Sequence, residues 1–360
     1  MASVLPRLSD NETICRMQDA ETQTMTAAPT GKRVLFVKLG AIGDVIMALP
    51  LSRSLARQGV EVTWVCGQSL EPLVRTFSDA QIIETINDRK LFAGNLTAKL
   101  TVFVQVFLRF LGRRYDEVLI GHADPRYRLL FKGVRGPVFS FGSHLGGNRI
   151  PTGTRHHSYE YLKLATREDS SMAPDPKQFM PRPLKVWKGQ GSKVIAFAPG
   201  GARNLLADDR LRRWPITHYR KLAEELLANG FDVQIFGAPT DAWVMQSFQG
   251  LNVKNRIGEL DLLGFVGALS EVEALVTHDS GPLHIGGLAG VPVFGLFGPT
   301  EGSWRFPIGN RGRILQLAEK LPCQPCYDGK NFAPCSDNRC LSAISPHRVF
   351  EEIQQTLART

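Results

Sequence analysis

The sequence predicts an α/β protein with two doubly wound, Rossmann-like domains that face a central cleft. Apolar runs of strand length are each followed by a glycine-rich turn and a helical stretch, and this order repeats along the chain. A segment with four prolines, residues 169–185, separates one such series from the next. Parallel sheets of this kind bind ligands beyond the carboxyl ends of their strands, which is where the glycine-rich turns fall.

The first series starts at residues 34–39 (VLFVKL), an apolar run typical of a buried parallel strand. The turn GAIGD follows, and the next helix is expected to run toward Arg57 and to stop at Gly59. Pro50 is expected to kink or shorten this helix. Further strands are predicted within residues 61–65 and 113–120.

The second series starts at residues 194–198 (VIAFA), followed by PGGAR. Trp214-Pro215 introduces a helix that is expected to reach Asn229. The remaining strands are predicted at residues 232–236, 274–277 and 293–297.

Domain boundaries follow from these series. Residues 1–30 are polar, lack an apolar signal segment and predict a disordered tail. Residues 31–180 form the predicted N-terminal domain, and residues 181–345 form the predicted C-terminal domain. Residues 346–360 predict a closing helix capped by Ser345.

The composition and net charge limit the classes of protein and of binding partner. The 360 residues are 43% hydrophobic and 21% charged, as in a soluble globular protein, and we expect a cytoplasmic location. The net charge of +9 suits an anionic partner such as a nucleotide or a phosphorylated glycolipid, although a generally basic protein would look the same. No compact basic arm or RNA-binding aromatic signature is present, so nucleic acid is not an expected partner.

The apolar stretch at residues 100–111 has two interpretations. It has about half the length needed to cross a bilayer. It is either a core helix or, because Lys99, Arg109, Arg113 and Arg114 flank it, a peripheral contact with the inner membrane.

Residues 277–300 predict an anion site. An apolar run ends at Asp279-Ser280-Gly281, and Pro282 opens a short helix that ends at Gly290. Ser280 can cap this helix, and Gly281 allows a ligand to approach the backbone. Because a helix N-terminus presents free N–H groups and a partial positive charge, phosphate is the expected ligand.

Asp44 lies on the first glycine turn, GAIGD, which lacks the G-x-G-x-x-G dinucleotide spacing. A carboxylate at this position can serve as a general base toward an attacking hydroxyl. Alternatively, Asp44 only caps its helix.

Three motifs together resemble the heptosyltransferase family of bacterial glycosyltransferases: KLGAIGDVIMALP, GGAR…RRWP, and DSGPLHIGGLAGVPVFGLFGPT. The resemblance covers about residues 33–355. It implies a GT-B fold and an inverting sugar transfer that needs no metal or other cofactor for catalysis. The implied donor is a nucleotide sugar, ADP-heptose in the best-known members, and the implied acceptor belongs to the lipopolysaccharide core.

Site roles follow from the resemblance residue by residue. It implies that Asp44 is the catalytic base and that Ser280 and Gly281 hold the donor diphosphate. Arg212 stands where the family usually has a lysine, which keeps the charge and changes the donor geometry. Asp241 falls about where an acidic residue contacts the donor ribose. The predicted donor-binding set is Arg212, Asp241, Asp279, Ser280, Gly281, His284 and Thr300, with His284 alternatively a packed or capping residue.

The acceptor side is predicted to involve Gly43, His122, Asp124 and Arg126, which follow first-domain strands. For the last three the alternative is an ordinary surface loop. An anionic glycolipid, another glycan or a protein is compatible with this side.

Four cysteines, Cys323, Cys326, Cys335 and Cys340, fall within eighteen residues and define a finger at residues 321–341. Because disulfides are uncommon in the cytoplasm, the spacing predicts a tetrahedral thiolate site for structural zinc or iron. Free thiols or a redox pair are the alternatives.

Two other functions remain open at this point. In a nucleotide-sugar epimerase on a similar scaffold, Asp44 would abstract a carbon-bound proton, and the donor would turn over without an acceptor. A non-catalytic assembly protein would instead depend on the cysteine finger and not on Asp44.

Overall fold

A computed structural model describes residues 30–142, 149–150, 155–167, 174–187, 191–203, 208–327 and 332–359. The predicted tail lies outside these residues except for Thr30, whose N–H donates to the Gly59 carbonyl at 2.9 Å. The chain divides into two compact units between Pro181 and Arg182.

The N-terminal unit contains a six-stranded sheet in the order β3-β2-β1-β4-β5-β6, with every described pairing parallel. Its strands are β1 (Arg33–Val37), β2 (Glu61–Gly67), β3 (Ile82–Ile86), β4 (Glu117–Ile120), β5 (Val138–Phe141) and β6 (Arg149–Ile150). The central strand β1 is buried from Val34 to Val37, which explains why it reads as an unbroken apolar run.

The helices of this unit are Ile42–Arg57, Glu71–Phe77, Asp88–Ala93, Leu96–Phe110, Pro125–Leu130 and His157–Thr166, with 3₁₀ turns at Gln68–Leu70 and Pro176–Phe179. The first helix continues through Pro50 to Arg57, so the predicted shortening is wrong. Twelve of its sixteen residues are buried, and this burial outweighs the cost of a helical proline, about 3 kcal/mol. Its stop is as predicted, because Gly59 follows with φ +73°.

The C-terminal unit repeats the plan with a second sheet in the order β12-β11-β10-β7-β8-β9, again parallel in every described pairing. Its strands are β7 (Val194–Ala198), β8 (Asp232–Ile235), β9 (Val253–Asn255), β10 (Ala274–His278), β11 (Val293–Leu296) and β12 (Arg313–Leu315).

Helices of the C-terminal unit span Ile216–Ala228, Leu262–Ser270, Gly281–Ala289, Arg339–Ser342 and Pro346–Ala358, with 3₁₀ segments at Arg210–Arg212, Pro239–Phe248 and Gly302–Trp304. The last helix is capped as predicted, because Ser345 accepts the Arg348 N–H at 3.2 Å. Val349 and Ile353 from this helix join Trp214 and Tyr219 in the core. The closing helix is therefore part of the C-terminal unit.

Both sheets reverse their strand order at one place, between β1 and β4 and between β7 and β10. Crossover connections leave toward opposite sides at such a point, and the loops at the carboxyl ends of the two strands separate into a crevice. The predicted class of two doubly wound domains is confirmed. The turns carrying Asp44 and Ser280 each follow a strand at a reversal point.

No helix in the described part of the chain combines the length and the apolar character needed to span a membrane.

Candidate active site

The helix Gly281–Ala289 starts directly beyond β10, and Ser280 is its N-cap residue in extended geometry. The Ser280 hydroxyl makes no capping hydrogen bond and donates instead to the His278 carbonyl at 3.2 Å. Gly201, at φ +67°, approaches so closely that an added Cβ would lie 3.2 Å from the Ser280 Oγ. Two glycine-bearing loops therefore meet at this helix N-terminus and leave its backbone open to an anion.

A buried carboxylate, Asp279, collects three donors beside this N-terminus. Its Oδ2 accepts from the Thr300 Oγ1 at 2.8 Å and from the Arg305 Nη1 at 3.3 Å, and the Arg212 Nη1 lies 3.6 Å away. Burial alone would raise the pKa of Asp279, but the charges of Arg305 and Arg212 and the Thr300 hydrogen bond outweigh it and lower that pKa. Asp279 is thus a fixed negative charge that holds two arginines.

The two arginines keep hydrogen-bonding capacity. Arg212 also donates to Asp209 at 2.7 Å. Among the described residues, the buried Nε atoms of Arg212 and Arg305 have no hydrogen-bond partner. Both guanidinium groups can therefore still donate to a phosphate beside the helix N-terminus.

A neutral histidine lies under the site. The Tyr219 hydroxyl is 3.3 Å from the His278 Nδ1, and both residues are buried. Burial, followed by the charges of Arg212 and Arg213, lowers the pKa of His278 to about 3. The predicted donor residue His284 is also buried, and its charge helps to lower the pKa of Asp279.

Asp241 holds the neighbouring loops together. Its carboxylate accepts the Gly201 N–H at 3.3 Å and the Ala238 N–H at 3.0 Å. Gly200 packs so closely on this side chain that an added Cβ would touch the carboxyl group. Contact between Asp241 and a donor ribose stays a prediction.

In the N-terminal unit, Asp44 lies in the first turn of the helix Ile42–Arg57, whose N-cap residue is Ala41. The Asp44 Oδ2 accepts from the Lys38 Nζ at 2.9 Å. The Lys38 side chain is 4% exposed, whereas that of Asp44 is 39% exposed. A buried lysine therefore holds a carboxylate that is partly exposed to solvent.

His122 lies next to this pair. Its Nε2 accepts the Leu39 N–H at 3.1 Å, and its ring stacks on Tyr127 at 3.7 Å between centroids. Burial and the Lys38 charge lower the pKa of His122 well below its usual value. The imidazole is therefore neutral, and it positions the loop between Lys38 and Asp44.

The other predicted acceptor residues have structural contacts. Asp124 caps the helix Pro125–Leu130 by accepting the Arg126 N–H at 2.9 Å, and its carboxylate also pairs with the Arg126 guanidinium at 2.6 Å. Gly43 is buried in the first turn of the Asp44 helix. These contacts agree with the surface-loop alternative for Asp124 and Arg126.

All four finger cysteines line one cavity with Leu211, Pro299 and Asn338. The Asn338 N–H donates to the Cys335 Sγ at 3.3 Å. Within the described ranges, however, no group of three or more histidine, cysteine or acidic side chains is placed to hold a metal ion. Four cysteine thiolates are suitable ligands for zinc or iron. The described side chains are not arranged as the predicted tetrahedral site.

The finger also supports the anion site. The Cys326 N–H donates to the Pro299 carbonyl at 3.0 Å, and a Cβ on Gly298 would lie 2.7 Å from the Cys340 Sγ. Tyr327 faces the Arg305 guanidinium at 5.3 Å. The finger therefore packs on the loop that supplies Thr300 and on one of the two site arginines.

Three site residues were missed by sequence reasoning. Lys38 is the first residue of the KLGAIGD motif, so the motif itself could have indicated it. His278 reads only as the last residue of an apolar strand. Arg305 lies in irregular chain after a 3₁₀ turn, so no periodicity marks it.

The sequence profile of glycosyltransferase family 9 (heptosyltransferase) matches residues 155–335. The chain is 32% identical to lipooligosaccharide heptosyltransferase 2 of Haemophilus influenzae over 173 residues, covering 46% of this chain and 48% of that protein. It is 26% identical to lipopolysaccharide heptosyltransferase 1 of Pseudomonas aeruginosa over 356 residues, covering 90% and 98%. The chain spans about half the length of the first curated relatives it matches.

Solved structures share the fold. A glycosyl transferase of family 9 from Veillonella parvula has a TM-score of 0.71 at 19% identity, covering 93% of this chain and all of that chain. Escherichia coli heptosyltransferase WaaC with ADP-2-deoxy-2-fluoro heptose has a TM-score of 0.64 at 18% identity, covering 90% and 99%. The iron-containing dodecameric glycosyltransferase TibC from E. coli has a TM-score of 0.55 at 14% identity, covering 94% and 81%. These likenesses agree with the predicted GT-B fold.

Proposed function

The chain belongs to glycosyltransferase family 9, and from that membership we propose that it transfers a sugar from a nucleotide-diphosphate donor to a glycan hydroxyl with inversion. The observation that carries the proposal is the anion site at the helix Gly281–Ala289. There, two arginines with unused buried nitrogens flank an open helix N-terminus.

Donor chemistry assigns a role to this site. The bond from the anomeric carbon to the diphosphate breaks in the reaction, and negative charge develops on the leaving diphosphate. The helix N-terminus, Arg212 and Arg305 stabilise that charge without a metal ion. The predicted ribose contact of Asp241 and the predicted contact of His284 belong to the same proposal.

Asp44 is the proposed general base. As the acceptor hydroxyl attacks the anomeric carbon, its proton passes to the Asp44 carboxylate. Lys38 orients the carboxylate, and neutral His122 holds the connecting loop through the Leu39 N–H. Gly43, Asp124 and Arg126 remain predicted acceptor-side positions.

ADP-heptose is the proposed donor, and a lipopolysaccharide core is the proposed acceptor. The names of the curated relatives support the heptose and the lipopolysaccharide, and the WaaC structure holds an ADP-heptose analogue. A lipid-linked acceptor would place the enzyme at the inner face of the cytoplasmic membrane.

We also propose that Cys323, Cys326, Cys335 and Cys340 bind one structural zinc or iron ion. Their shared cavity supports this, and the name of TibC records iron in a protein of the same fold. Such an ion would cross-link the finger that packs on Pro299 and Arg305. Elemental analysis of the purified protein, with the Cys326→Ser variant as the comparison, tests for it.

The first experiment is calorimetric titration with ADP-heptose, ADP, GDP-sugars and UDP-sugars. We expect selective binding of ADP-heptose, weakened at least about tenfold by Arg212→Ala because a charge-assisted contact is lost. Arg210→Ala is the matched control, since Arg210 belongs to the same 3₁₀ turn and its side chain is 82% exposed. Absence of binding across the panel would overturn the proposal.

Asp44→Asn tests the catalytic assignment. This change removes the base and keeps the shape, so we expect transfer to fall by about 10²-fold or more while ADP affinity is retained. Asp232→Asn, an exposed substitution at the start of β8, should leave transfer unchanged. Donor consumption without acceptor would instead identify an epimerase, and full transfer by Asp44→Asn would exclude Asp44 as the base.

A further inference from the structure

The helix Leu96–Phe110 is apolar on two opposite faces. Val102, Val106 and Phe110 pack into the core of the N-terminal unit. On the other side Leu96, Leu100, Val104 and Leu108 repeat every four residues, and Leu111 follows; we call these five residues the apolar stripe. Leu96, Leu100 and Leu108 are 81%, 60% and 62% exposed. Folding of the unit does not require this stripe, because none of its side chains reaches the core.

Further apolar residues adjoin the apolar stripe. Phe103 and Phe107 stack with ring centroids 6.4 Å apart, and both are half-buried. Gly133 packs between the Phe107 ring and Leu111, and the nearby Leu129 is 52% exposed. A contiguous exposed apolar surface of this kind marks an interaction site more often than an accident of folding.

Basic residues surround the apolar stripe. Residues 96–135 contain eight lysines and arginines against three aspartates and glutamates. Most of these cations are exposed, among them Lys99, Arg114, Lys132 and Arg135. Arg113 at the end of the helix is also exposed and pairs with Glu84 at 2.8 Å. More than half of the chain's net charge of +9 is therefore concentrated in this segment.

We propose that the apolar stripe and its exposed cations dock this protein on the surface of an anionic lipid bilayer. The helix has 15 residues, too few to cross the hydrocarbon core, so it would lie in the interface plane. Leucines would enter the boundary between headgroups and acyl chains, and the lysines and arginines would meet lipid phosphates.

Charge favours a bilayer over a second copy of the chain. In a two-fold symmetric dimer the same surface faces itself, so Lys99, Lys132 and their neighbours would oppose like charges. Anionic lipids instead present negative charge all around an apolar interior, which matches a cationic border around an apolar centre.

Vesicle flotation of the full-length protein tests the proposal with no nucleotide sugar present, so its outcome is independent of the transfer reaction. We expect flotation with vesicles of phosphatidylglycerol and phosphatidylcholine and little with phosphatidylcholine alone. The double variant Leu100→Gln, Leu108→Gln should lower the partition coefficient at least about tenfold. Lys99→Gln with Lys132→Gln should lower binding to anionic vesicles and weaken its dependence on salt.

Matched controls come from the C-terminal unit. Val186 is 63% exposed and Lys254 is also exposed, so Val186→Gln and Lys254→Gln should bind vesicles like the unchanged protein. All variants change surface side chains, and equal thermal melting curves would show that they fold. The proposal is overturned by absence of flotation with anionic vesicles, or by flotation that the leucine changes leave intact. It is also overturned if sedimentation reveals a dimer that those changes dissociate.

Discussion

At the scale of single residues, the candidate site depends on charges that are buried and shared. Asp279 is the centre of the donor-side arrangement, because Thr300, Arg305 and Arg212 all approach its Oδ2. The sequence analysis named Asp279 and Thr300 as candidate donor-binding residues, since both lie within one short motif. Arg305 comes to them only through the tertiary fold, and no spacing rule relates it to Arg212.

Arg305 is predicted to bind the donor as strongly as Arg212 does. Arg305→Ala removes one of the two guanidinium groups beside the helix N-terminus, so ADP affinity should fall about 10- to 100-fold. Arg305→Lys should recover only part of the loss, because an ammonium lacks the planar fork that contacts Asp279 and phosphate together. Titration of both variants with ADP checks this, and unchanged affinity in Arg305→Ala would remove the residue from the site.

His278 predicts a pH-dependent stability. Its folded pKa, about 3, lies below the usual 6.5, so the unfolded chain binds a proton that the folded chain does not. Stability therefore falls as the pH drops below about 6.5, and His278 alone accounts for about 2 kcal/mol between pH 7 and pH 5. Urea unfolding at both pH values should show this loss reduced in His278→Asn.

The comparison variant for that prediction is His347→Asn. The hydrogen bond to Glu225 raises the pKa of His347, so protonation of His347 stabilises the folded chain, opposite in sign to His278. Its replacement should therefore leave the loss on acidification in place or enlarge it. Equal pH dependence in His278→Asn and in the unchanged protein would show that His278 already takes up its proton in the folded state.

At the scale of elements, two glycines at helix C-termini differ in how closely other residues pack on them. Gly230 and Gly290 both have positive φ, +78° and +85°, just after a helix. Space is open around Gly230, whereas a Cβ on Gly290 would overlap the Lys185 carbonyl oxygen. The lack of a side chain at Gly290 therefore allows the anion-site helix to pack against the backbone at Lys185.

The two glycines give a paired prediction. Gly230→Ala should cost about 1 kcal/mol of unfolding free energy, from backbone conformation alone. Gly290→Ala carries the same cost plus the overlap, so it should destabilise the protein by clearly more and should also weaken ADP binding. Denaturation curves and ADP titrations of both variants test this, and equal stabilities would contradict the steric argument.

Sequence patterns located the strands well and the irregular chain poorly. The β7 bounds are those predicted, and β8 and β11 each end one residue earlier than expected. Buried parallel strands are continuous apolar runs, which is why they stand out. Pro50 misled the prediction because local propensity carries no information about burial around it. Residues 125–185 were harder to interpret, since they contain many glycines, prolines and histidines and no clear hydrophobic period.

At the scale of the whole molecule, the chain builds one plan twice. Each unit has a six-stranded parallel sheet that reverses its order beside its first strand, and each places its candidate chemistry at that reversal. Alternating strands, turns and helices predicted both sheets. The apolar stripe was predicted only as one of two alternatives, because a sequence does not tell which face of an apolar helix the rest of the fold covers.

The position of two arginines beside the helix N-terminus has a consequence for turnover. In the proposed donor, the diphosphate is esterified at both ends, whereas the released nucleoside diphosphate has a free terminal phosphate and carries additional negative charge. A site that binds its ligand through arginines therefore binds the released nucleoside diphosphate more tightly than the nucleotide-sugar donor. We expect the nucleoside diphosphate product to inhibit competitively against the donor. We also expect its release to be the rate-limiting step of turnover.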